Sequence, residues 1–425
     1  MSDLKKIPIG IDDFKKIRDE GYYYVDKTDA ICLFVEKGMY ANMVTRPGGF
    51  GKTTFLSMFD AFFNMKYEGN TWFDGLKVNE KPYCLKEKNK LPVIKIDMKD
   101  LPVDSFESFR SAFQRKIIAV IDEFPELYTS DKLSEWGKEL LTELTQSDVK
   151  DSWLTYSIKT LSKLLKDCYG RSSMILIDEY DAPINNSYGK DTYKKIQPFM
   201  EHVYSSALKD NENMDSAILT GLMRVAKISF GHSINNFNTQ TIFGWEFDCD
   251  FGFTEPEVKD LLSYYGHPEK YDEAKEWYGE YVVDEIKVFN PYSLLKYVDN
   301  GFKPGVYRTE TGGRYLLELI VPVMSEYERS DIESMINGET IGDHIDDITT
   351  YDSIHRDAIT IMVMSGYLRT IYKRDDAPWY DEHYWTIIPN KEAMLQTKAL
   401  LDLPTKSPDQ LEKWCAENVD RSIRI

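Results

Sequence analysis

The sequence predicts an α/β fold, a parallel sheet flanked by helices, followed by a mostly helical C-terminal region. Three observations predict it. Short apolar blocks at residues 41–45, 91–98, 173–177 and 217–220 read as buried parallel strands, which are apolar almost throughout rather than alternating. Amphipathic stretches at 53–67, 103–124 and 154–168 separate them, and strand–helix–strand units with right-handed crossovers build a sheet covered on both faces. At 425 residues, 42% hydrophobic and 13% aromatic, the chain can bury enough surface for two or three domains.

The elements follow in order. Residues 22–28, Tyr-Tyr-Tyr-Val-Asp-Lys-Thr, precede the first strand; their aromatics read as core packing, with stacking beside a base as the alternative. Residues 132–150 are charged and helix-prone and read as an insertion between the second strand and the helix before the third. Thr254, followed by Glu255, Pro256 and Glu257, carries the signature of a helix start: an N-cap, then proline and acids in the first turn. The first domain is therefore expected over 1–246, a helical lid segment over 247–300, and a C-terminal domain over 301–425. The last is expected to hold helices plus a hairpin with strands at 367–372 and 384–388, joined by residues 373–383. The sequence carries no internal repeat and no low-complexity tract.

Charge and cysteine content narrow the function classes. The chain has 52 basic and 71 acidic residues, a formal net charge of −19. Such an acidic surface repels nucleic-acid phosphate, which argues against a protein that coats DNA but not against a local basic groove; the plainer reading is that the acidity keeps the chain in solution. The five cysteines are scattered and form no CxxC pair, and the six histidines show no zinc spacing. No apolar signal core opens the chain and no apolar run is long enough to span a bilayer, so a cytoplasmic protein without membrane contact is expected.

The chemistry centres on Arg46-Pro47-Gly48-Gly49-Phe50-Gly51-Lys52-Thr53-Thr54. A phosphate-binding loop is Gly-x4-Gly-Lys-Ser/Thr between a strand and a helix. The last three positions match, Arg46 replaces the first glycine, and the strand and helix are in place. Backbone N–H groups of such a loop point at phosphate. Gly51 permits close backbone approach. Lys52 is expected on the β- and γ-phosphates and the Thr53 hydroxyl on Mg2+. The second motif, Met174-Ile175-Leu176-Ile177-Asp178-Glu179, is an apolar strand ending in two acids. Asp178 is expected at the metal and Glu179 as the group that polarises the attacking water. If the strand continues, the two carboxylates project to opposite sides. The third is the apolar strand ending at Thr220, with Arg224 after it. Thr220 suits a sensor of the γ-phosphate, and Arg224 a cation for transition-state charge, within its own subunit or across an interface; a strand cap and a surface arginine are the plainer alternatives. Asp181 is expected to stiffen its loop, with support of the metal as the alternative, and Asp97 to cap the end of the second strand, although it lies on the edge where ligands bind.

Together these residues resemble the AAA-ATPase-like family, whose P-loop domain is often fused to a restriction-like PD-(D/E)XK nuclease. The matching residues are Pro8-Ile9-Gly10, Tyr24-Val25-Asp26-Lys27-Thr28, Thr45-Arg46-Pro47 with Phe50-Gly51-Lys52-Thr53, Ile177-Asp178-Glu179-Tyr180-Asp181 and Leu219-Thr220-Gly221. Further along they are Asn235-Asn236, Phe251-Gly252-Phe253-Thr254, Trp277-Tyr278, Asn290-Pro291, Ser365-Gly366-Tyr367-Leu368 and Ile388-Pro389-Asn390. The resemblance implies a P-loop NTPase fold with a winged-helix-like C-terminal domain, ATP and Mg2+ as cofactors, and Arg46 as normal in the loop. Family members usually carry arginines where this chain has Gly48 and Gly49. Residues 391–425 lack the acid and acid-x-Lys pattern that such a nuclease needs to hold metal at the scissile phosphate, so no nuclease activity is expected. The resemblance implies an ATPase acting as a switch or motor on a protein or nucleic-acid partner in trans, or a nucleotide-binding interaction module with little turnover. A kinase-like phosphotransferase would need an acceptor pocket that the sequence does not display.

Overall fold

The computed structural model describes residues 4–402, except 148, 226–236, 245, 248–249, 309–313, 346–347, 350–357 and 374–382. Five parallel strands form its central sheet: β1 (Ala41–Thr45), β2 (Val93–Asp97), β3 (Ser173–Asp178), β4 (Met214–Gly221) and β5 (Phe237–Gln240), in the spatial order β2-β3-β4-β1-β5. The first four are the expected apolar blocks, with ends shifted by a few residues. The fifth was not expected. Phe237–Gln240 is polar in three of its four residues and, among the described residues, pairs only with β1, at the sheet edge, where one flank needs no apolar cover.

Alternation of side chains divides the sheet into two faces. Ile175 and Ile177 of β3 join a core with Phe109, Phe113 and Ile117 of the helix Phe106–Asp122 and Leu161 and Leu165 of Ser157–Tyr169. Met174 and Leu176 face the other way, against Phe55, Leu56 and Phe59 of the helix Lys52–Phe63. Residues 132–150 contribute the helix Glu135–Thr145, packed on the first of these faces through Leu140, Leu141 and Leu144.

Beyond residue 250 lies a smaller antiparallel sheet, β6 (Phe253–Thr254), β7 (Tyr281–Val283) and β8 (Ile286–Phe289), ordered β6-β8-β7. The helix Glu255–Tyr264 begins at Thr254 as expected, and the Glu257 carboxylate accepts the Thr254 N–H at 2.7 Å. This unit shares an apolar cluster with Ile7, Tyr23 and Val25 of the N-terminal segment. The Lys27–Glu257 ion pair, 2.7 Å, adds a second tie.

The C-terminal region holds the helices Arg314–Ile320, Glu326–Ile336, Ala358–Met364 and Lys391–Leu401. The expected hairpin is present as β10 (Arg369–Lys373) and β11 (His383–Ile387), and β9 (Ile341–His344) pairs with β11 as a third strand. Leu316, Ile320, Ile361 and Leu400 belong to the same core as the helices on the central sheet. Asn235-Asn236, most of the hairpin connection and the tail beyond residue 402 lie outside the described residues. Among the described residues, no helix is long and apolar enough to cross a membrane.

Candidate nucleotide site

The carboxyl ends of β1, β3 and β4 converge on one edge of the sheet, where ligands bind in open α/β folds. One strand, β4, separates β1 from β3, so the loop after β1 and the acids after β3 flank a gap. A cavity of about 720 Å³ opens there. Gly48, Gly49, Phe50, Gly51, Lys52, Thr53 and Thr54 line one wall, and Glu179, Asn185, Lys99 and Leu222 contribute to another. The N-terminal segment contributes Pro8, Ile11, Tyr23 and Tyr24, and the later units contribute Tyr292, Tyr307 and Arg308.

The loop is built for an anion. Among the described residues, no protein group accepts a hydrogen bond from the amides of residues 48–54, up to Phe55, whose N–H returns to the Gly51 carbonyl at 2.9 Å. Gly51, at φ 84°, turns the chain into the helix Lys52–Phe63, whose N-terminal dipole adds to these donors. The ammonium of Lys52, 5% exposed, donates to the Arg46 carbonyl at 3.1 Å and lies 3.6 Å from Oε1 of Glu179.

The acids after β3 have three different surroundings. Asp178 is buried; its Oδ1 accepts the Thr220 hydroxyl at 2.5 Å and the Glu179 N–H at 3.1 Å, while among the described residues Oδ2 has no donor. Glu179 faces the cavity. Burial raises its pKa; Lys52 opposes that, and the charges of Asp181, Asp178 and Asp97 add to it. Asp181 is fully buried, accepting the N–H groups of Leu222 and Met223 at 3.0 Å each and the Asn185 amide at 3.0 Å. It fastens the turn after β4, the structural role expected of it.

The structure brings only some of the expected residues to the cavity. Glycines 48, 49 and 51, Phe50, Lys52, Thr53, Thr54 and Glu179 line it. Thr220 is buried beneath the wall and reaches Asp178 rather than the cavity surface. Arg224 lies in a two-residue strand paired with Ile348–Thr349 and is not among the lining residues. Arg46 and Pro47 also stand off the wall. The Arg46 guanidinium is fully buried in the opposite direction, donating to the carbonyls of Thr45, Gln240 and Thr241 at 2.7–2.9 Å. Opposed projection of Asp178 and Glu179 requires a strand through both. Instead β3 ends at Asp178 and Glu179 adopts a left-handed backbone, φ 49°, so strand alternation does not set its direction.

Asp97 accepts the Lys99 N–H at 2.7 Å, a turn cap as expected, and Ile96-Asp97-Met98-Lys99 is the end of a sheet strand and its turn. Tyr24 packs edge-on against Phe14 and Tyr23 against Tyr264 and Tyr265, so both serve the core as well as the cavity wall.

Sequence reasoning missed two residues. Asn290 announces a helix start, because Pro291 follows it, but nothing in the sequence ties it to the loop at Gly48, whose carbonyl accepts its amide at 3.0 Å. Arg308 carries no motif. It is 1% exposed at the cavity wall, and its guanidinium donates to the carbonyls of Ser365 and Gly366 and to Oε1 of Gln396; among the described residues no carboxylate forms an ion pair with it.

Among the described residues, no group of three or more His, Cys, Asp or Glu side chains could hold a metal ion alone. Asp178, expected at the metal, is buried and does not itself line the cavity, whereas Thr53 does; the two residue types suit Mg2+, which takes few protein ligands and fills its shell from phosphate and water.

An uncharacterized protein in the vnfD 5′ region of Azotobacter chroococcum mcd 1 is 27% identical over 327 residues, 74% of this chain. The chain spans 56% of that relative's length. The model of the AAA-ATPase-like family, described as predicted AAA-ATPase, matches residues 8–230, from the N-terminal cavity segment through the turn after β4. With more than half of its length matched, this chain belongs to the AAA-ATPase-like family.

Proposed function

We propose that this protein binds ATP with Mg2+ and hydrolyses it, using the change to act on a protein or nucleic-acid partner in the cytoplasm. The observation that carries the reading is the run of amides at residues 48–54, unpartnered among the described residues, with Lys52 within it 3.6 Å from Glu179 at one cavity.

The amides and the helix N-terminus receive the phosphate chain without prior removal of a protein partner. Lys52 exchanges its contact with Glu179 for phosphate oxygens. Glu179, relieved of its cation, then accepts a proton from the attacking water. Its raised pKa brings it closer to neutrality, where a general base works best. Thr220 and the Glu179 N–H fix the Asp178 carboxylate through Oδ1, which leaves Oδ2 to serve a metal. Mg2+ would be held by Thr53 and Asp178 and would neutralise charge on the phosphates. ATP rather than another nucleotide follows the family's description as a predicted ATPase.

A second reading, nucleotide binding with little turnover, has an observation behind it. Arg224, the cation expected for transition-state charge, is not at the wall. Measuring ATP binding and Mg2+-dependent hydrolysis for wild type, Lys52→Ala and Glu179→Gln separates the two. Turnover by wild type, with Glu179→Gln binding but inactive, supports hydrolysis. Binding without turnover by wild type moves the protein to the second reading, and no binding by wild type rejects both.

A further inference from the structure

The tip of the phosphate loop is Gly48-Gly49, the most flexible pair a chain can offer. Something outside the loop holds it. The buried Asn290 amide donates to the Gly48 carbonyl at 3.0 Å, and the Tyr292 N–H donates to the Gly49 carbonyl at 3.2 Å. Both donors belong to the start of the helix Pro291–Asp299, which Asn290 caps by accepting the Ser293 N–H at 3.1 Å. The approach depends on glycine: a Cβ on Gly49 would lie 2.9 Å from Oδ1 of Asn290, and Gly49 has φ +81°. Phe50 completes the hold, its ring edge-on to Tyr281 at 5.2 Å.

Peptide geometry gives this contact a consequence. A trans peptide is planar, so a carbonyl and the N–H of the next residue point in opposite directions. Fixing the Gly48 and Gly49 carbonyls toward residues 290–292 turns the amides of Gly49 and Phe50 the other way. Among the described residues those amides have no acceptor, and both residues line the cavity.

We propose that Asn290 is a positioning residue for the nucleotide: it presets the loop's amides for the triphosphate, so that binding does not have to order a glycine tip. This rests on the nucleotide-binding reading given above. A matched control exists in the same chain. Asn390 also caps a helix, accepting the Ala393 N–H at 3.0 Å, and also donates its amide to a glycine carbonyl, that of Gly279, at 2.8 Å. Among the described residues neither of these hydrogen bonds reaches the loop.

The test measures binding of ATP, inorganic triphosphate and adenosine to the full chain as wild type, Asn290→Asp and Asn390→Asp, with thermal melts of each. Aspartate caps a helix as well as asparagine but cannot donate to a carbonyl. Asn290→Asp is expected to weaken ATP and triphosphate at least tenfold by the same factor and to leave adenosine unchanged. Asn390→Asp is expected to stay within twofold for all three. Gly49→Ala, which displaces Asn290 from the loop side, is expected to give the same triphosphate loss with the asparagine intact and serves if Asn290→Asp does not fold. Wild-type triphosphate affinity in Asn290→Asp, or equal losses in the two aspartate variants, overturns the proposal. Failure of wild type to bind ATP or triphosphate overturns the nucleotide reading itself.

Discussion

Arg46 and Lys52 are two cations of one loop, six positions apart and both almost wholly buried, yet they do opposite work. Arg46 turns away from the cavity and spends its guanidinium on main-chain carbonyls: its own neighbour Thr45, and Gln240 and Thr241 at the end of β5. It also lies over the Phe251 ring at 5.2 Å. Lys52 turns into the cavity, where its partners are two loop carbonyls and a glutamate 3.6 Å away. A planar fork with five donors suits fixed carbonyls, while a compact ammonium on a flexible stem can exchange partners when phosphate arrives. The lesson is that charge inside a loop motif does not identify the residue that meets the ligand; what fills its donors does.

This contrast breaks if the two cations respond alike to removal. Arg46→Ala leaves three buried carbonyls without their donor, at about 1–3 kcal/mol for each unsatisfied group, so a loss of roughly 3 kcal/mol or more is expected in denaturant unfolding. Arg46→Lys should recover little of it, because one ammonium cannot span the same carbonyls; full recovery would show that charge alone matters. Lys52→Ala should do the reverse. ATP affinity is expected to fall at least 100-fold, about 2.7 kcal/mol, with a smaller loss of unfolding stability than Arg46→Ala gives, because fewer close carbonyl bonds are removed. A calorimetric titration and a melt on the same sample check both halves, and a large stability loss would place Lys52 among the structural cations.

Gly221 sharpens the comparison from the neighbouring strand. Its carbonyl accepts the Arg46 N–H at 3.1 Å. A Cβ there would sit 2.5 Å from Oδ1 of Asp181 and 2.6 Å from the Tyr180 ring. Gly221→Ala is therefore expected to cost about 1–3 kcal/mol in chemical denaturation; a neutral substitution would show that the turn after β4 is free to move.

The smallest expected effect concerns Glu179 and pH. Its folded pKa is raised from the ordinary 4.5, mainly by burial. The folded chain then holds this proton longer than the unfolded chain does, so the contribution to stability is fullest below the unfolded value and falls as pH rises through the raised one. Glu179→Gln removes that fall. The variant should melt higher than wild type at pH 7–8, and the advantage should shrink as the pH is lowered toward 4.5. A lower melting temperature at pH 7 would mean that the ion pair with Lys52 outweighs desolvation.

Much of the fold was legible. Apolar blocks one strand long, separated by amphipathic helices, identify β1 to β4 because a strand buried on both faces has little choice of composition. Thr254 and Glu257 mark a helix start because a reciprocal cap is local. β5 was not legible, since a polar edge strand leaves no apolar block, and neither was the third strand of the C-terminal sheet. In the site, Lys52 and Glu179 could be named from spacing. Arg224 could not be placed, because a residue three positions beyond a strand end has no fixed direction.

By itself the sequence determined which segments become strands and helices and which loop carries the phosphate-binding pattern, because those depend on residues within a few positions of one another. Tertiary structure alone decided that Arg46 turns to β5, that Thr220 spends its hydroxyl on Asp178, that Asn290 reaches Gly48 across 242 positions, and that Arg308 comes to the cavity wall. Each of these is a hydrogen bond or an approach between segments far apart in the chain, and a buried polar group takes whichever partner the fold brings within about 3 Å, a distance that no local pattern records.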